Sequence, residues 1–363
     1  MLDQKSFLVP NDTTWFDECQ DVYFAKANFK NLEFVANVNL KDLISPSLQK
    51  IESAQNALTS QSQLLNEIRN EHEGYAMPFL YYTHDFRFAK PIPKKNYELE
   101  KIVLSSNLGD SLRRRHIALS HVILPKQISE TGSCFNRPIT IKNFGSGVGL
   151  DVLNAIRHSH ENVGKILNYD INEEALEIGR KVASYLADQE EIPQDKVFYQ
   201  NKSLLDFEKN GKSQLSIIAG VICGLTDKAA STILKRIYRD LEEGGKLVIT
   251  CANQFMRDKD ALANFIIQHI GTYNDPTNNW GLNFRTKDQL FALLDGAGFV
   301  NIEIYDDANY PAKETVGDDV INGVETLPAK AHGYEPVAFP IALPKKEILE
   351  KSIGFNWIGI ARK

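Results

Sequence analysis

The stretch that decides the fold is Ile139–Ala175, ITIKNFGSGVGLDVLNAIRHSHENVGKILNYDINEEA. It opens with a short isoleucine-rich run that predicts a buried strand. A glycine-rich turn, Asn143–Gly149, comes next, followed by apolar residues at helical spacing. A second buried run, Lys165–Tyr169, ends at Asp170. The order strand, tight turn, helix, strand and acid is typical of a nucleotide site in an α/β fold.

The chemistry of this unit fits a nucleoside. Glycine lets the backbone pass close to a ligand in conformations that a Cβ would block. A carboxylate at the tip of the second strand, here Asp170, can accept hydrogen bonds from both ribose hydroxyls. The unit therefore predicts a Rossmann-type adenosine-binding site.

The chain after Asp170 continues to alternate between helix-like and strand-like segments. Further strands are predicted at Lys196–Gln200, Leu215–Ala219, Lys246–Thr250, Val300–Tyr305 and Asn356–Ala361. With short connections, this alternation predicts an α/β fold with a doubly wound, mainly parallel seven-stranded sheet. The last two strands have no clear helix between them, so we expect an antiparallel pair at the sheet edge.

The region before the glycine turn is predicted to be mostly helical. Helices are expected over Ile44–Glu71, Tyr97–Leu108 and Asp110–Leu124. Pro125 is expected to end the third helix and Thr131–Ser133 to form a polar connector. We interpret residues 1–130 as a cap on the substrate side or a dimerisation element, and the sequence leaves both open. A homodimer is therefore one expectation.

Residues 131–363 are predicted to form the nucleotide-binding core, interrupted by an insertion at about 306–351. The insertion is rich in proline and glycine. A connection of that length is uncommon unless it is functional or packs as a small unit. We expect it to help cover a site or a subunit contact.

Composition excludes several classes of protein. The net charge of −6 and a pI near 5.8 argue against a broad grip on nucleic acid, and Arg113–Arg115 is interpreted as the solvated face of a helix. Four scattered cysteines without a C-x-x-C pair fit neither a zinc site nor a disulfide framework, so no metal is expected. Without a signal-like start or a long apolar run, we expect a cytoplasmic protein that does not enter a membrane.

Several motifs in the right order carry a family resemblance. The glycines at 145, 147 and 149, the acid after the second strand, the segment Leu241–Leu247 (LEEGGKL) and Ala297–Phe299 (AGF) stand in succession. Together they resemble the class I S-adenosylmethionine-dependent methyltransferases. The resemblance covers about residues 137–305 and the last strand. It implies S-adenosylmethionine as the cofactor.

The resemblance also implies roles for residues of the first two strands. Gly145, Ser146, Gly147 and Gly149 would pass the methionine part of the cofactor, and Asp170 would take the ribose hydroxyls. Ile171 would lie against the adenine face. Asn143 stands where the family has an acid, so its contact to the cofactor amino group would be a neutral hydrogen bond or pass through water.

The resemblance extends to the ends of the third and fourth strands. Ser203 and Leu204 stand where the adenine amino group is met, while Lys202 stands where an acid often contacts the adenine. Gly220 and Val221 would border the sulfonium end of the cofactor.

The segment after the fourth strand constrains the acceptor. It reads AGVICGL, without the Asn/Asp-Pro-Pro-aromatic motif of enzymes that methylate nucleobase or glutamine amino groups. Together with the acidic charge, this favours a small-molecule acceptor over nucleic acid. The candidates for a catalytic role are His84, His269 and Tyr23, although packing explains a histidine or tyrosine nearly as well.

Two other classes of function remain open. Asn143 and Lys202 would also fit a non-catalytic S-adenosylmethionine-binding regulatory or partner subunit. A nicotinamide-dependent oxidoreductase is a third interpretation, disfavoured by the glycine spacing and by Gly244-Gly245.

Overall fold

Hydrophobic runs at seven places in the sequence form one sheet in the computed structural model. The strands are β1 (Ile139–Phe144), β2 (Val163–Asp170), β3 (Val197–Asn201), β4 (Ser213–Ile218), β5 (Leu241–Ala252), β6 (Val300–Asp306) and β7 (Asn356–Arg362). Their order across the sheet is β3-β2-β1-β4-β5-β7-β6. Strands β1 to β5 pair in parallel, whereas β7 runs antiparallel to both β5 and β6. The predicted fold class and the antiparallel pair at the edge are confirmed.

The structure describes most of the core and two shorter parts of the N-terminal region. The described residues are 48–70, 107–157, 159–188, 190–204, 206, 211–254, 263, 265–270, 282–307 and 354–363. The predicted insertion at 306–351 lies almost wholly outside them, as does most of the predicted helix Tyr97–Leu108.

Burial along the strands follows their place in the sheet. Every residue of β4, the central strand, is buried, whereas the edge strands β3 and β6 are partly exposed. The polar residues of β4 are buried with hydrogen-bond partners, as with Ser213, which donates to Asp240, and Gln214, which donates to Glu242. The stacked rings of Phe144 and Tyr169, with centroids 5.6 Å apart, join the ends of β1 and β2 in this core.

The described residues form eight α-helices, two π-helical segments and three short 3₁₀ helices. The α-helices are α1 (Leu48–Gln61), α2 (Gln63–Asn70), α3 (Asn107–Ile117), α4 (Leu124–Phe135), α5 (Leu150–Ile156), α6 (Glu173–Asp188), α7 (Asp227–Asp240) and α8 (Lys287–Asp295). The π-helical segments are Ala118–Ile123 and Ile266–Ile270. Thr226 caps α7, and Thr286 caps α8 in a reciprocal capping box with Gln289.

The N-terminal helices differ from the prediction in two places. The single helix expected over Ile44–Glu71 is interrupted at Ser62, whose buried hydroxyl accepts the Leu65 amide and so caps a second helix. Pro125 does not end a helix, and the predicted connector Thr131–Ser133 is helical. Pro125 lies in the first turn of α4 after the π-helical segment. Its missing N–H is tolerated there because first-turn amides have no partner within the helix.

Residues 242–245 form a bulge inside β5. Ser213 pairs with Leu241 and Leu215 pairs with Lys246, so β5 advances five residues while β4 advances two. Gly244 takes a φ of +82°, which glycine adopts without strain.

The chain separates into two compact units. One contains Arg114–Asn253, Leu282–Val320 and Asn356–Lys363, and therefore the whole sheet. The other contains Met1–Arg113, Gln254–Gly281 and Ile321–Phe355. Within the second unit α1 and α2 pack on the π-helical segment Ile266–Ile270. A division at residue 130 into a cap and a core stays a prediction.

Candidate cofactor-binding site

The turn between β1 and α5 is shaped by three glycines in the left-handed region. The φ angles are +62° at Gly145, +52° at Gly147 and +76° at Gly149. The Ser146 amide donates to the Tyr169 carbonyl (3.0 Å), which ties the turn to the end of β2. A run of left-handed residues is costly with a Cβ present, so the three glycines are what allow this backbone path.

Asp170 joins the turn from the neighbouring strand. Its Oδ2 accepts the Gly147 amide at 2.6 Å, and its Oδ1 accepts the Asn172 amide at 3.0 Å. Each carboxylate oxygen can accept a further hydrogen bond. The two backbone donors thus fix the orientation of a carboxylate that can still accept a pair of ribose hydroxyls.

Asn143, near the end of β1, forms a buried hydrogen bond beside the glycine turn. Its side chain is buried, and its Nδ2 donates to Asn168 Oδ1 (3.0 Å) on the neighbouring β2. A Cβ added at Gly149 would come within 2.9 Å of that Asn168 oxygen. The amide pair therefore fills the space where α5 begins.

The residues that follow β4 pack on the glycine turn. A Cβ added at Gly145 would overlap Cγ2 of Val221, so Val221 packs directly on the glycine backbone. Gly220, with a φ of +74°, donates its amide to Thr250 Oγ1 (2.7 Å) on β5. The structure thus brings Gly220 and Val221 to the glycine turn.

The remaining cofactor candidates lie at the ends of β2 and β3. Ile171 is half exposed, which suits a residue that would cover a flat ring. Leu204 packs on the core, and the Ser203 carbonyl accepts the Asp206 amide (3.0 Å). The Lys202 amide donates to the Asp170 carbonyl at 2.9 Å and so joins the two strand ends. The predicted cofactor residues therefore all lie at the carboxyl ends of β1 to β4.

The structure does not test the three catalytic candidates. His84 and Tyr23 lie outside the described residues. The backbone of His269 lies in the π-helical segment of the second compact unit. Their roles stay predictions.

The family model described as the ubiE/COQ5 methyltransferase family matches residues 117–264, somewhat less than half of the chain. The match spans the glycine turn, Asp170 and the strands β1 to β5. The chain carries the core of a class I S-adenosylmethionine-dependent methyltransferase. Among curated proteins, no sequence matches it significantly.

Solved structures similar to this methyltransferase core share little sequence with it. A protein described as a possible exported protein from Bordetella parapertussis is 14% identical, covers 93% of this chain and 97% of its own, and has a TM-score of 0.53. Human N-acetylserotonin methyltransferase in complex with S-adenosylmethionine is 14% identical over 93% of this chain and 74% of its own, with a TM-score of 0.39. Magnesium protoporphyrin IX methyltransferase from Synechocystis PCC 6803, with bound S-adenosylhomocysteine, is 10% identical over 82% and 99%, with a TM-score of 0.44. The first similarity shows a shared fold.

Two side chains that hold the methyltransferase core together have no signal in the sequence pattern. Arg285, 2% exposed, donates to Asp227 Oδ1 (3.0 Å) and to the carbonyls of Ile222 (2.8 Å) and Leu225 (2.7 Å). It therefore fixes the segment that follows Gly220 and Val221. The Tyr199 hydroxyl donates to the Val148 carbonyl (3.1 Å) in the glycine turn, and burial raises the pKa of this phenol, so it stays a donor.

The interpretation of Arg113–Arg115 as a solvated face is wrong for Arg115, which is 7% exposed. The helix places it against the end of β4, where a Cβ on Gly220 would lie 3.2 Å from Arg115 Nη1. The next residue, His116, is also buried and pairs through Nδ1 with Asp151 of α5. The periodicity of α3 on its own could not reveal these partners, because they come from distant segments.

Two cysteines are buried in the core behind the β4 end. Burial raises the pKa of the Cys251 thiol to about 12 and raises that of Cys223 as well. The Cys223 thiol donates to the Gly220 carbonyl (3.1 Å). These cysteines therefore stay protonated and act as packing groups at neutral pH.

Across the described ranges no helix combines the length and apolarity needed to cross a membrane. Among the same residues, no three His, Cys, Asp or Glu side chains gather as a set of metal ligands.

Proposed function

We propose that the protein transfers the methyl group of S-adenosylmethionine to a small-molecule acceptor. The observation that carries the proposal is the Asp170 carboxylate, oriented by the Gly147 and Asn172 amides beside a left-handed glycine turn. A nucleoside with a free ribose diol fits that arrangement. The ubiE/COQ5 match over the same segment supports methyl transfer as the reaction.

In the proposed reaction the acceptor atom forms a bond to the methyl carbon while the bond from that carbon to sulfur breaks. The products are the methylated acceptor and S-adenosylhomocysteine, and an acceptor O–H, N–H or C–H also loses its proton. Because the sulfonium activates the methyl group, most of the rate enhancement can come from alignment and exclusion of water. The packing of Val221 on Gly145 supports such alignment by fixing the β4 end against the turn.

A small acceptor in the cytoplasm is part of the proposal. The acidic net charge of −6 favours a small molecule over nucleic acid. Buried free thiols at Cys223 and Cys251 fit a reducing compartment. O-, N- and C-methylation are all compatible with this site, and a homodimer is compatible with the N-terminal region.

A second candidate is a non-catalytic S-adenosylmethionine-binding subunit. Asn143 favours it, because the residue that replaces the family's acid is buried and its amide group already donates to Asn168. Such a protein would bind the cofactor without turning it over.

The test is calorimetric titration with S-adenosylhomocysteine and, separately, NAD, for wild type, Asp170→Ala and Asp195→Ala. Asp195 is an exposed acid before β3, so its variant matches the charge change away from the site. We expect S-adenosylhomocysteine to bind wild type and Asp195→Ala, and to bind Asp170→Ala about 100-fold more weakly through the loss of two charged hydrogen bonds. Tighter binding of NAD would contradict the proposal.

A methyl-labelled donor then separates the two candidates. Transfer of label to any member of a panel of small hydroxyl, amine and activated-carbon acceptors supports the enzyme. Cofactor binding without transfer to any of them supports the binding subunit.

A further inference from the structure

Arg115 lies at the carboxyl edge of the sheet with its positive charge buried. It belongs to the last turn of α3 and is 7% exposed. The guanidinium lies against the backbone of Gly220, the residue expected to border the methyl group. A Cβ at Gly220 would meet Nη1 at 3.2 Å, so glycine leaves the space that the guanidinium occupies.

The guanidinium is poorly satisfied by the described residues. It has five N–H donors, and its one hydrogen bond runs from Nη1 to Asn356 Oδ1 at 3.4 Å. Nε is buried and has no hydrogen-bond partner among the described residues. No described carboxylate pairs with this arginine within 4.0 Å. A buried cation left in that state is unfavourable unless an anion joins it.

Asn356 also binds an acid, Asp307, that does not itself pair with Arg115. Its Nδ2 donates to Asp307 Oδ2 at 3.0 Å, which turns its Oδ1 towards Arg115. The neutral amide thus stands between the guanidinium and the Asp307 carboxylate. The planar donor fork of the arginine is left available for a ligand, and such a fork matches a carboxylate in two parallel hydrogen bonds.

The position of Arg115 relative to the strands indicates which reactant supplies the anion. Asp170 and the expected ribose site lie at the end of β2, on one side of β1. Arg115 contacts Gly220 at the end of β4 and Asn356 at the start of β7, both on the other side of β1. Gly220 is the point where the two sides meet. An anion at Arg115 would therefore lie beyond the methyl group as seen from the ribose.

We propose that Arg115 binds a carboxylate of the methyl acceptor. This inference rests on the proposed function and narrows its substrate class to small carboxylic acids. Arg115 then acts as a binding residue that places the acceptor at the end of β4.

The experiment uses the full chain saturated with S-adenosylhomocysteine. Aliphatic and aromatic monocarboxylates, each paired with its own primary amide, are titrated calorimetrically into wild type, Arg115→Met and Arg115→Lys. Arg137→Met is the matched control, because Arg137 is about half exposed and pairs with Glu242 at the opposite end of the strands. Circular dichroism and thermal midpoints confirm that the variants fold.

We expect at least one carboxylate to bind wild type and Arg137→Met at least 10-fold more tightly than its amide. That preference should disappear in Arg115→Met and be partly retained in Arg115→Lys. A panel without any carboxylate preference in wild type, or a preference that survives in Arg115→Met, would overturn the inference.

A second arm separates the acceptor from the cofactor as the source of the carboxylate. S-adenosylhomocysteine and 5′-methylthioadenosine share the nucleoside, but only the first has a carboxylate. If Arg115→Met weakens the first at least 10-fold and leaves the second unchanged, the arginine holds the cofactor and the acceptor assignment is wrong. If neither nucleoside binds wild type, the proposed function fails, and the carboxylate and amide titrations on the free protein still report on Arg115.

Discussion

The two halves of the sheet's carboxyl edge are built in different ways. At the ends of β1 and β2, Asp170 contacts the amide of Gly147, only 23 residues away in sequence, and backbone groups make most of the contacts. At the ends of β4 and β5 and the start of β7, side chains join segments far apart, as with Arg115 and Asn356, which are separated by 241 residues. The first half is set by chain conformation, whereas the second depends on individual arginines.

Because of this difference, the two halves should respond to different kinds of substitution. A backbone-built site fails when a residue cannot adopt the required φ, whereas a site built by long polar side chains fails when one of them is shortened. Variants in the two halves should therefore lose different properties. The largest effect is expected where a buried arginine holds several carbonyls at once.

Replacing Arg285 by methionine should lower the free energy of unfolding by about 3–5 kcal/mol, because buried carbonyl acceptors lose a charged donor. The guanidinium donates to the carbonyls of Ile222, Leu225 and Asn283. It also donates to the exposed Asp227 and to the buried sulfur of Cys251. Urea unfolding followed by circular dichroism measures the effect. Arg180→Met is the control, since Arg180 is exposed and pairs with Glu173 and Glu177 on the surface of α6. It should lose no more than about 1 kcal/mol.

The same Arg285 variant also tests the independence of the two halves. Its folded fraction should bind S-adenosylhomocysteine within about 10-fold of wild type, because the glycine turn and Asp170 do not contact Arg285. Complete loss of binding in protein that is still folded would show that the halves are one unit.

Gly145→Ala should lower the free energy of unfolding by about 2–4 kcal/mol and weaken S-adenosylhomocysteine at least 10-fold. The added Cβ would strain a backbone that has a positive φ, and it would overlap the Val221 side chain. Gly211→Ala is the matched control, because Gly211 also has a positive φ but open space around its Cβ position. It should lose only about 1 kcal/mol. Adding Val221→Ala to Gly145→Ala should recover the part of the unfolding free energy that is lost through the overlap. A double variant as unstable as Gly145→Ala alone would contradict the packing argument.

High pH should destabilise the protein through its buried thiols. The Cys251 pKa is raised by burial from 9.0 to about 12 in the folded chain, so above pH 9 the unfolded chain releases a proton that the folded chain retains. The contribution of this thiol to the free energy of unfolding is therefore complete below pH 9 and is lost as the pH rises towards 12. Between pH 8 and pH 10, wild type should lose about 1.4 kcal/mol more than Cys251→Ala does. Equal losses, measured by urea unfolding at both pH values, would refute this.

Thr286→Ala should have the smallest effect, about 1 kcal/mol, because it removes one capping box at the start of α8. The binding of S-adenosylhomocysteine should not change. Thr232→Ala is a suitable control, since Thr232 is a mid-helix residue of α7 whose hydroxyl bonds back to the Lys228 carbonyl. A change in cofactor affinity for Thr286→Ala would link this helix start to the site.

The same difference explains what could be predicted from the sequence. All seven strands, their α/β arrangement and the convergence of Gly145, Gly147 and Asp170 follow from motifs that are contiguous or ordered along the chain. The prediction for Arg115 is wrong because its neighbours in sequence are basic, while its neighbours in space are Gly220 and Asn356. The prediction for Pro125 is wrong because a proline breaks a helix only when it lies in the interior of that helix. Pro125 lies instead in the first turn of α4, directly after the π-helical segment. Pairings between distant segments leave no local pattern to read.

The place of β7 in the sheet has a consequence for synthesis on the ribosome. Strand β7 lies between β5 and β6, yet it begins at Asn356, 104 positions after β5 ends at Ala252. At translation rates of about 5–20 residues per second, the nascent chain exposes one edge of β5 for roughly 5–20 s. An apolar strand with unpaired N–H and C=O groups is a template for aggregation. We therefore expect the growing polypeptide to depend on chaperones in this interval, and β7 supplied as a separate peptide during refolding to suppress aggregation of a chain that lacks it.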